Sequence, residues 1–182
     1  GAEWFSDCRD LLDRVDAVSV AVPTVAHLPV AGDCLTRGIP TLVEKPLALD
    51  ADQGRLLVKQ AEKTGTILQV GHIERFNPAM QAARPHIGRP QYIRGERLSP
   101  FSFRSTDIGV THDLMIHDID LVLDIAASPI ASVEAFGVNI LGQSEDVVQA
   151  RLRFENGCIA DLTANRVSLN VSRKMQVWSA SG

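Results

Sequence analysis

Lys45, Asp113 and His117 are the residues whose types and spacing best suit proton-transfer chemistry. Lys45 lies in Thr41-Leu42-Val43-Glu44-Lys45-Pro46. That stretch is a short apolar strand with β-branched ends, stopped by Pro46, which has no N–H to give a sheet ladder. The Glu44/Lys45 pair therefore sits at the carboxyl end of a buried strand, the edge where ligands lie in open parallel sheets. A lysine there can hold an anionic or hydroxylic group and exchange a proton with it. The pair reads equally as an exposed ion pair on a loop. Asp113 and His117 are four apart, so one helix face carries both, with Asp120 three further on. A carboxylate one turn from an imidazole orients the ring for general-base work; the competing reading is a solvated i,i+4 pair on an outer face.

Pro23, Thr24 and His27 follow another buried strand at its carboxyl end and suit contact with a ribose or pyrophosphate. Thr24 reads as well as a helix cap. Gly71 to Pro78 (GHIERFNP) is dense in polar groups after a third strand. Arg75 there is a candidate anion ligand or an interdomain salt bridge; Arg75, Asn77 and Asp120 are the substrate-side candidates. Phe76 and Met80 read as core, Asp118 and Asp124 as solvated or capping charge, and His112 is ambiguous.

The elements that must position these groups change character along the chain. Ser6 caps a short helical turn from Asp7 to Arg14. Asp16 to Val22 is a strand of small and β-branched residues, and Val25 to Leu35 a helix. After the strand at Thr41, Asp50 caps a helix to about Lys63 with Gly65 as its left-handed stop, and Thr66 to Val70 is a strand. Strand, helix, strand, helix, strand with short connections is half of a doubly wound parallel sheet. Beyond Gly71 come a short helix (Pro78 to Arg84), a strand (Gln91 to Leu98), an irregular polar stretch (Arg104 to Val110) and a long helix (Thr111 to Ala126). Leu114, Ile116, Leu121, Leu123 and Ile125 supply that helix's apolar side, with an imperfect period. Strands at Ser132 to Ile140, Asp146 to Phe154, Cys158 to Asn165 and Lys174 to Trp178 follow, two joined by Glu155-Asn156-Gly157, a hairpin turn in which Asn-Gly takes positive φ. The fold class is α/β: a partial Rossmann parallel sheet over residues 1–71, then an α+β domain over 72–182 with a mostly antiparallel, open-faced sheet.

The 182 residues are 45% hydrophobic and 22% charged, enough for one domain or two small ones. A net charge of -4 argues against a nucleic-acid surface, and no apolar run approaches membrane-spanning length. Three widely spaced cysteines form no metal-binding cluster and suit reduced thiols in a cytoplasmic protein. No signal-peptide pattern opens the sequence, and no metal site is expected.

Taken together these motifs resemble the Gfo/Idh/MocA family of NAD(P)-dependent sugar oxidoreductases, over nearly the whole chain. Arg37 to Pro46 is similar to the family's AGKHVLxEKP motif, Ala21 to Thr24 with His27 to the loop beneath the cofactor, and Asp113, His117 and Asp120 to its DxGxHxxD pattern. Met115 stands where that pattern has glycine. The resemblance implies Lys45, Asp113 and His117 as catalytic residues, with Pro23, Thr24, His27, Glu44 and Lys45 along NAD or NADP. It also implies a small-molecule sugar or nucleotide-sugar substrate. The wording GHIERFNPA and DLMIHDIDL is similar to the branch that oxidises the 3-hydroxyl of UDP-N-acetylglucosamine on the way to lipid A. A homo-oligomer formed through the antiparallel sheet is implied too, with Val133, Ala135, Val148 and Ala150 offered at the interface. The sequence contains no GxGxxG, the turn that seats the pyrophosphate. On the family's plan that turn would precede Gly1, and chains continue past Gly182, so the sequence reads as the middle of such an enzyme. A non-catalytic fragment or interaction module and a polyol dehydrogenase acting on an inositol-like substrate are the alternatives.

Overall fold

The computed structural model describes residues 2–102 and 108–180. Of the irregular stretch expected at Arg104 to Val110, residues 104–107 lie outside the described residues. The chain forms two compact units, Gly1–His72 and Ile73–Gly182.

In the first unit, strands β1 (Val18–Val20), β2 (Thr41–Val43) and β3 (Leu68–Val70) pair in parallel in that order. Helices α1 (His27–Thr36) and α2 (Ala51–Thr64) connect them. The Asp50 carboxylate accepts the Gln53 N–H at 2.8 Å, and Gly65 closes the helix at φ 66°, where a side chain would be strained. Both helices cover one face of the sheet: Val20 and Val43 pack with Ala31, Leu35, Leu57 and Ala61. Ser19, Leu42 and Gln69 on the opposite face are exposed, so β2 is buried on one side only, unlike the fully buried strand expected. Ser6 caps nothing; the Asp7 carboxylate accepts the Arg9 N–H at 2.9 Å and starts one of two 3-10 turns where an amphipathic helical turn was expected.

In the second unit, helix α3 (Pro78–Ala83) precedes a five-stranded sheet built from β4 (Pro90–Leu98), β5 (Ile130–Val138), β6 (Val147–Phe154), β7 (Ile159–Asn165) and β8 (Ser172–Ser179). Its order is β5-β6-β7-β4-β8, antiparallel throughout except for the parallel β4–β7 pair. The β6–β7 hairpin takes positive φ at Gly157 alone (88°); Asn156 does not share it. That is a turn closed by one left-handed glycine.

The long helix opens with a π turn, Thr111–Met115, and continues as α4 (Ile116–Ala126). The wider turn accounts for the imperfect apolar period. Met115, Val122 and Ala126 are buried on the sheet, with Leu114, Ile119 and Ile125 packed beside them, whereas Leu123 points outward at 38% exposure. Alternation then assigns the sheet faces. Val148, Leu152, Ala160, Leu162 and Ala164 lie in the core beneath the helix. Val133 pairs with Leu152 and Ala135 with Ala150, so these residues share that side. The four residues offered for an interface, Val133, Ala135, Val148 and Ala150, therefore lie on the helix side of the sheet. The open side carries Tyr92, Arg94, Glu134, Phe136, Arg151 and Asp161 around a depression of about 480 Å³.

Asp118 is not solvated: it is 4% exposed and receives Nε (3.2 Å) and Nη2 (2.8 Å) of Arg97, itself 6% exposed, on β4. Burial pushes the Asp118 carboxyl above its ordinary range, against the pull of Arg97. Removing one partner of a buried pair strands the other charge at a cost of about 3–5 kcal/mol. Asp118→Ala should therefore lower the urea-unfolding free energy of the chain by about 3–5 kcal/mol, while the exposed Asp52→Ala should leave it nearly unchanged.

Candidate active site

Each unit contributes its own set of polar groups. In the first, the strands end at Val20, Val43 and Val70, and the candidate groups follow them. Glu44 and Lys45 are both half-buried, and the Glu44 carboxylate lies 3.3 Å from the Lys45 backbone nitrogen. Gly71 packs beside it: a Cβ there would stand 3.2 Å from the Glu44 carboxyl carbon, close enough to shift that carboxylate by a few tenths of an ångström. The Lys45–Pro46 peptide is cis. His27, expected along the cofactor, is 1% exposed and turned inward. Its Nδ1 lies 2.9 Å from the Pro46 carbonyl oxygen and its Nε2 2.9 Å from that of Val22. The ring thus ties the loop after β1 to the loop that carries Lys45. Thr24 makes no helix cap: it sits inside a 3-10 turn, Thr24–Ala26, whose Pro23 carbonyl accepts the Ala26 N–H at 2.8 Å. Pro23 is exposed and Thr24 partly so.

In the second unit the π turn places Asp113 at its centre and His117 one turn on, in the first turn of α4; both are half-buried and His112 is exposed. Met115, at the position of the family's glycine, is 1% exposed in the core. Arg75 and Asp120 are brought together: Nε and Nη2 reach the two carboxylate oxygens at 2.7 and 2.6 Å, a bidentate pair. Asp124 takes Arg84 and a second contact from Arg75 at 3.6 Å. Both partners of Arg75 lie in its own unit, so no interdomain bridge is formed by these bonds. Asn77 caps α3 through the Ala79 N–H at 3.0 Å and donates to Glu74. It also lines a cleft of about 560 Å³ with Met80, Arg97, Asp118 and Arg173. Phe76, read as core, is 64% exposed.

Several charged groups escaped the sequence reading. Glu74 bonds Arg97 at 3.3 Å. Burial opposes its charge, but Asn77, Arg97 and the nearby His117 outweigh that and hold the carboxyl below its ordinary range. Asp146, read only as the first residue of a strand, is fully buried. Its Oδ2 accepts the Ile140 and Leu141 N–H groups at 2.7 Å each, and its Oδ1 accepts Arg166 Nε at 2.7 Å. Burial again opposes the charge, but the Leu141 N–H, Arg166 and the Ile140 N–H bring the carboxyl down to about 2. Neighbouring Glu145 accepts the Thr111 N–H at 3.2 Å. No spacing rule reveals these partners, because each bond joins residues distant in sequence or sits in a turn without a signature. Among the described residues no group of acidic, cysteine and histidine side chains could hold a metal ion, and no helix is long and apolar enough to cross a membrane.

Comparison with known proteins agrees with the resemblance. Residues 1–72 match the family model described as oxidoreductase family, NAD-binding Rossmann fold, and residues 79–182 the GFO/IDH/MocA C-terminal domain. The chain belongs to the Gfo/Idh/MocA oxidoreductase family. UDP-N-acetylglucosamine 3-dehydrogenase of Acidithiobacillus ferrooxidans is 40% identical over 175 residues, 96% of this chain and 56% of that protein. A solved structure of the A. ferrooxidans enzyme matches 98% of this chain and 59% of its own with a TM-score of 0.92 at 38% identity. The scyllo-inositol 2-dehydrogenase (NAD(+)) of Bacillus subtilis is 30% identical over 91% of this chain and 54% of the relative. The chain thus spans a little over half the length of these relatives.

The low Asp146 value has a definite consequence for acid stability. A carboxyl held below its ordinary 3.8 in the folded state stabilises the fold above that pH, and the contribution fades as pH falls toward 2. Urea midpoints measured down this window should fall less steeply for Asp146→Asn than for the natural chain, with the variant the less stable of the two at neutral pH.

Proposed function

We propose that this chain is part of a dehydrogenase that moves a hydride between NAD(P) and a hydroxyl-bearing carbon of a sugar, with a nucleotide sugar such as UDP-N-acetylglucosamine, at its 3-hydroxyl, as the preferred substrate. The observation that carries the reading is the π turn, which sets the Asp113 carboxylate one turn before the His117 imidazole on a helix fixed to the sheet. π turns concentrate at functional sites, and a carboxylate–imidazole pair is suited to take a hydroxyl proton as the carbinol carbon is oxidised. His117 or Lys45 is the group that removes the proton, and Asp113 orients and charge-balances the imidazolium.

The donor set at the carboxyl edge of β1–β3 fits a nicotinamide riboside end: the Thr24 hydroxyl, the Glu44 carboxylate packed against Gly71, and the Lys45 ammonium suit ribose hydroxyls and a carboxamide. Bound there, the dinucleotide supplies the hydride acceptor, and the protein supplies position and electrostatics. Residues 1–71 take the dinucleotide-binding role and 72–182 the substrate and assembly role, with Arg75, Asn77 and Asp120 on the substrate side; Asp120 would act there while bound to Arg75. The greater identity and coverage of the UDP-N-acetylglucosamine enzyme favour the nucleotide sugar over the inositol-like polyol. A place in lipid A assembly is proposed together with the nucleotide-sugar reading, on the GHIERFNPA and DLMIHDIDL wording. Unpaired Cys8, Cys34 and Cys158 suit a cytoplasmic setting.

Assembly into a homo-oligomer is proposed through the open side of the sheet, where Phe136 (62% exposed) and Trp178 (44%) lie among charged groups. Sedimentation equilibrium should show self-association that Phe136→Glu abolishes; a monomer at all concentrations would contradict it. For the chemistry, in a version extended to the length of its relatives, His117→Ala should lower kcat by about 10²–10⁴-fold, the worth of general acid–base catalysis, with nicotinamide binding retained. Lys45→Ala should lower kcat over a similar range. Unchanged turnover in His117→Ala would remove the proposal.

A further inference from the structure

The helix that bears Asp113 and His117 begins without a cap of its own: Val110, at its N-cap position, makes no side-chain bond to the first turn. Orphan N–H groups at a helix start need a partner, and a residue from elsewhere in the unit supplies it. Glu145, in the turn before β6, accepts the Thr111 N–H with Oε1 at 3.2 Å, and its backbone carbonyl accepts the Val110 N–H at 2.9 Å. The carboxylate fits because residue 109 is glycine; a Cβ there would fall 2.1 Å from both Glu145 carboxylate oxygens. The Gly109 carbonyl in turn accepts the N–H groups of His112 (3.1 Å) and Asp113 (3.0 Å).

The base from which Glu145 reaches is rigid. Next to it, Asp146 holds the 140–142 turn through three backbone N–H groups and is paired with Arg166. Arg166, 6% exposed, also donates Nη1 to the Ile108 carbonyl at 2.7 Å, one residue before Gly109. Residues 108–111 are thus gripped from the β5–β6 turn and from the end of β7 together.

We infer that Glu145 is a positioning residue for the Asp113/His117 pair, capping the π turn from outside the helix and seated against Gly109, with the Asp146–Arg166 pair anchoring the turn from which it reaches. This rests on the proposed acid–base role of Asp113 and His117. A carboxylate at a helix start is favoured by the helix dipole as well as by the bond itself. Small displacements matter at such a site, since misplacement of a reacting group by about 1 Å can cost about 10²-fold in rate.

Two variants test it. Glu145→Ala removes the carboxylate, and Gly109→Ala displaces it with one methyl. The colliding atoms end a flexible side chain and Gly109 is not a positive-φ glycine, so the fold survives. In this chain, hydrogen exchange at the Thr111 amide should quicken about tenfold in either variant, the scale of a lost helix cap, with β6 and β7 amides unchanged and Val110, held by the backbone carbonyl of residue 145, changing less. The double variant should exchange no faster than Glu145→Ala alone, because both changes remove one bond. In the complete protein each should lower kcat about 10- to 100-fold with KM nearly unchanged, and Glu145→Gln, which keeps an acceptor oxygen, should restore much of it. Unaltered exchange at Thr111 would overturn the cap. Natural kcat in Glu145→Ala, with His117→Ala inactive, would overturn the positioning role and leave the proposed function standing. Natural kcat in His117→Ala would take both down.

Discussion

The second unit depends on how a single helix is held to the sheet. Arg97 on β4 and Asp118 on α4 are both almost fully buried and joined by three hydrogen-bond contacts. Taking two charges out of water is costly, and the cost is recovered only when the geometry is good and the remaining donors are satisfied. Glu74 meets that condition by accepting Arg97 Nη1. The pair fixes the helix rotation: with Asp118 on Arg97, Met115, Val122 and Ala126 face the sheet and Asp120 turns to Arg75. A one-residue slip would break all of these contacts. Apolar packing alone would tolerate more, because Leu, Ile and Val occupy nearly every side of this helix.

The same accounting explains why this acidic helix carries so few acids suited to chemistry. Asp118, Asp120 and Asp124 are each engaged by an arginine. What lies before them, the π turn with Asp113 and then His117, is organised differently, with its start held by Glu145 and by Arg166 rather than by a local cap. Structural ion pairs and the candidate acid–base pair thus share one element, with His117 next to Asp118 in the first turn of α4.

Much of the architecture was legible in the sequence because it rests on local rules. Asp50 and Gly65 bound their helix as capping chemistry requires, and the switch from strand–helix alternation to strand–turn–strand after Gly71 marked the change from parallel to antiparallel sheet. The family's two motifs were legible as motifs, and with them the family. What was hidden depends on contacts distant in sequence. Asp118 looked like solvated charge because its partner, Arg97, is 21 positions away. His27 looked like a cofactor contact because nothing local shows that its ring points to the Val22 and Pro46 carbonyls. The sheet faces were ambiguous because alternation assigns two sides without naming which one the helix covers, so Val133, Ala135, Val148 and Ala150 were all offered to the open side. The π turn was visible only as a flaw in the apolar period.

In the first unit the chemistry sits on loops fixed by packing: Val43 is fully buried, and beyond it Glu44 rests on Gly71 while His27 grips the Pro46 carbonyl. Both units therefore present their candidate groups from rigid supports, as catalysis by positioning requires. The proposed chemistry in the second unit rests on the Asp113/His117 pair as the acid–base group. The most direct test is a crystal structure of the complete protein with an oxidised nicotinamide dinucleotide and UDP-N-acetylglucosamine. The account predicts a His117 ring nitrogen within hydrogen-bond distance, about 2.6–3.2 Å, of the hydroxyl whose carbon faces the nicotinamide. A reacting hydroxyl out of reach of His117 would contradict it.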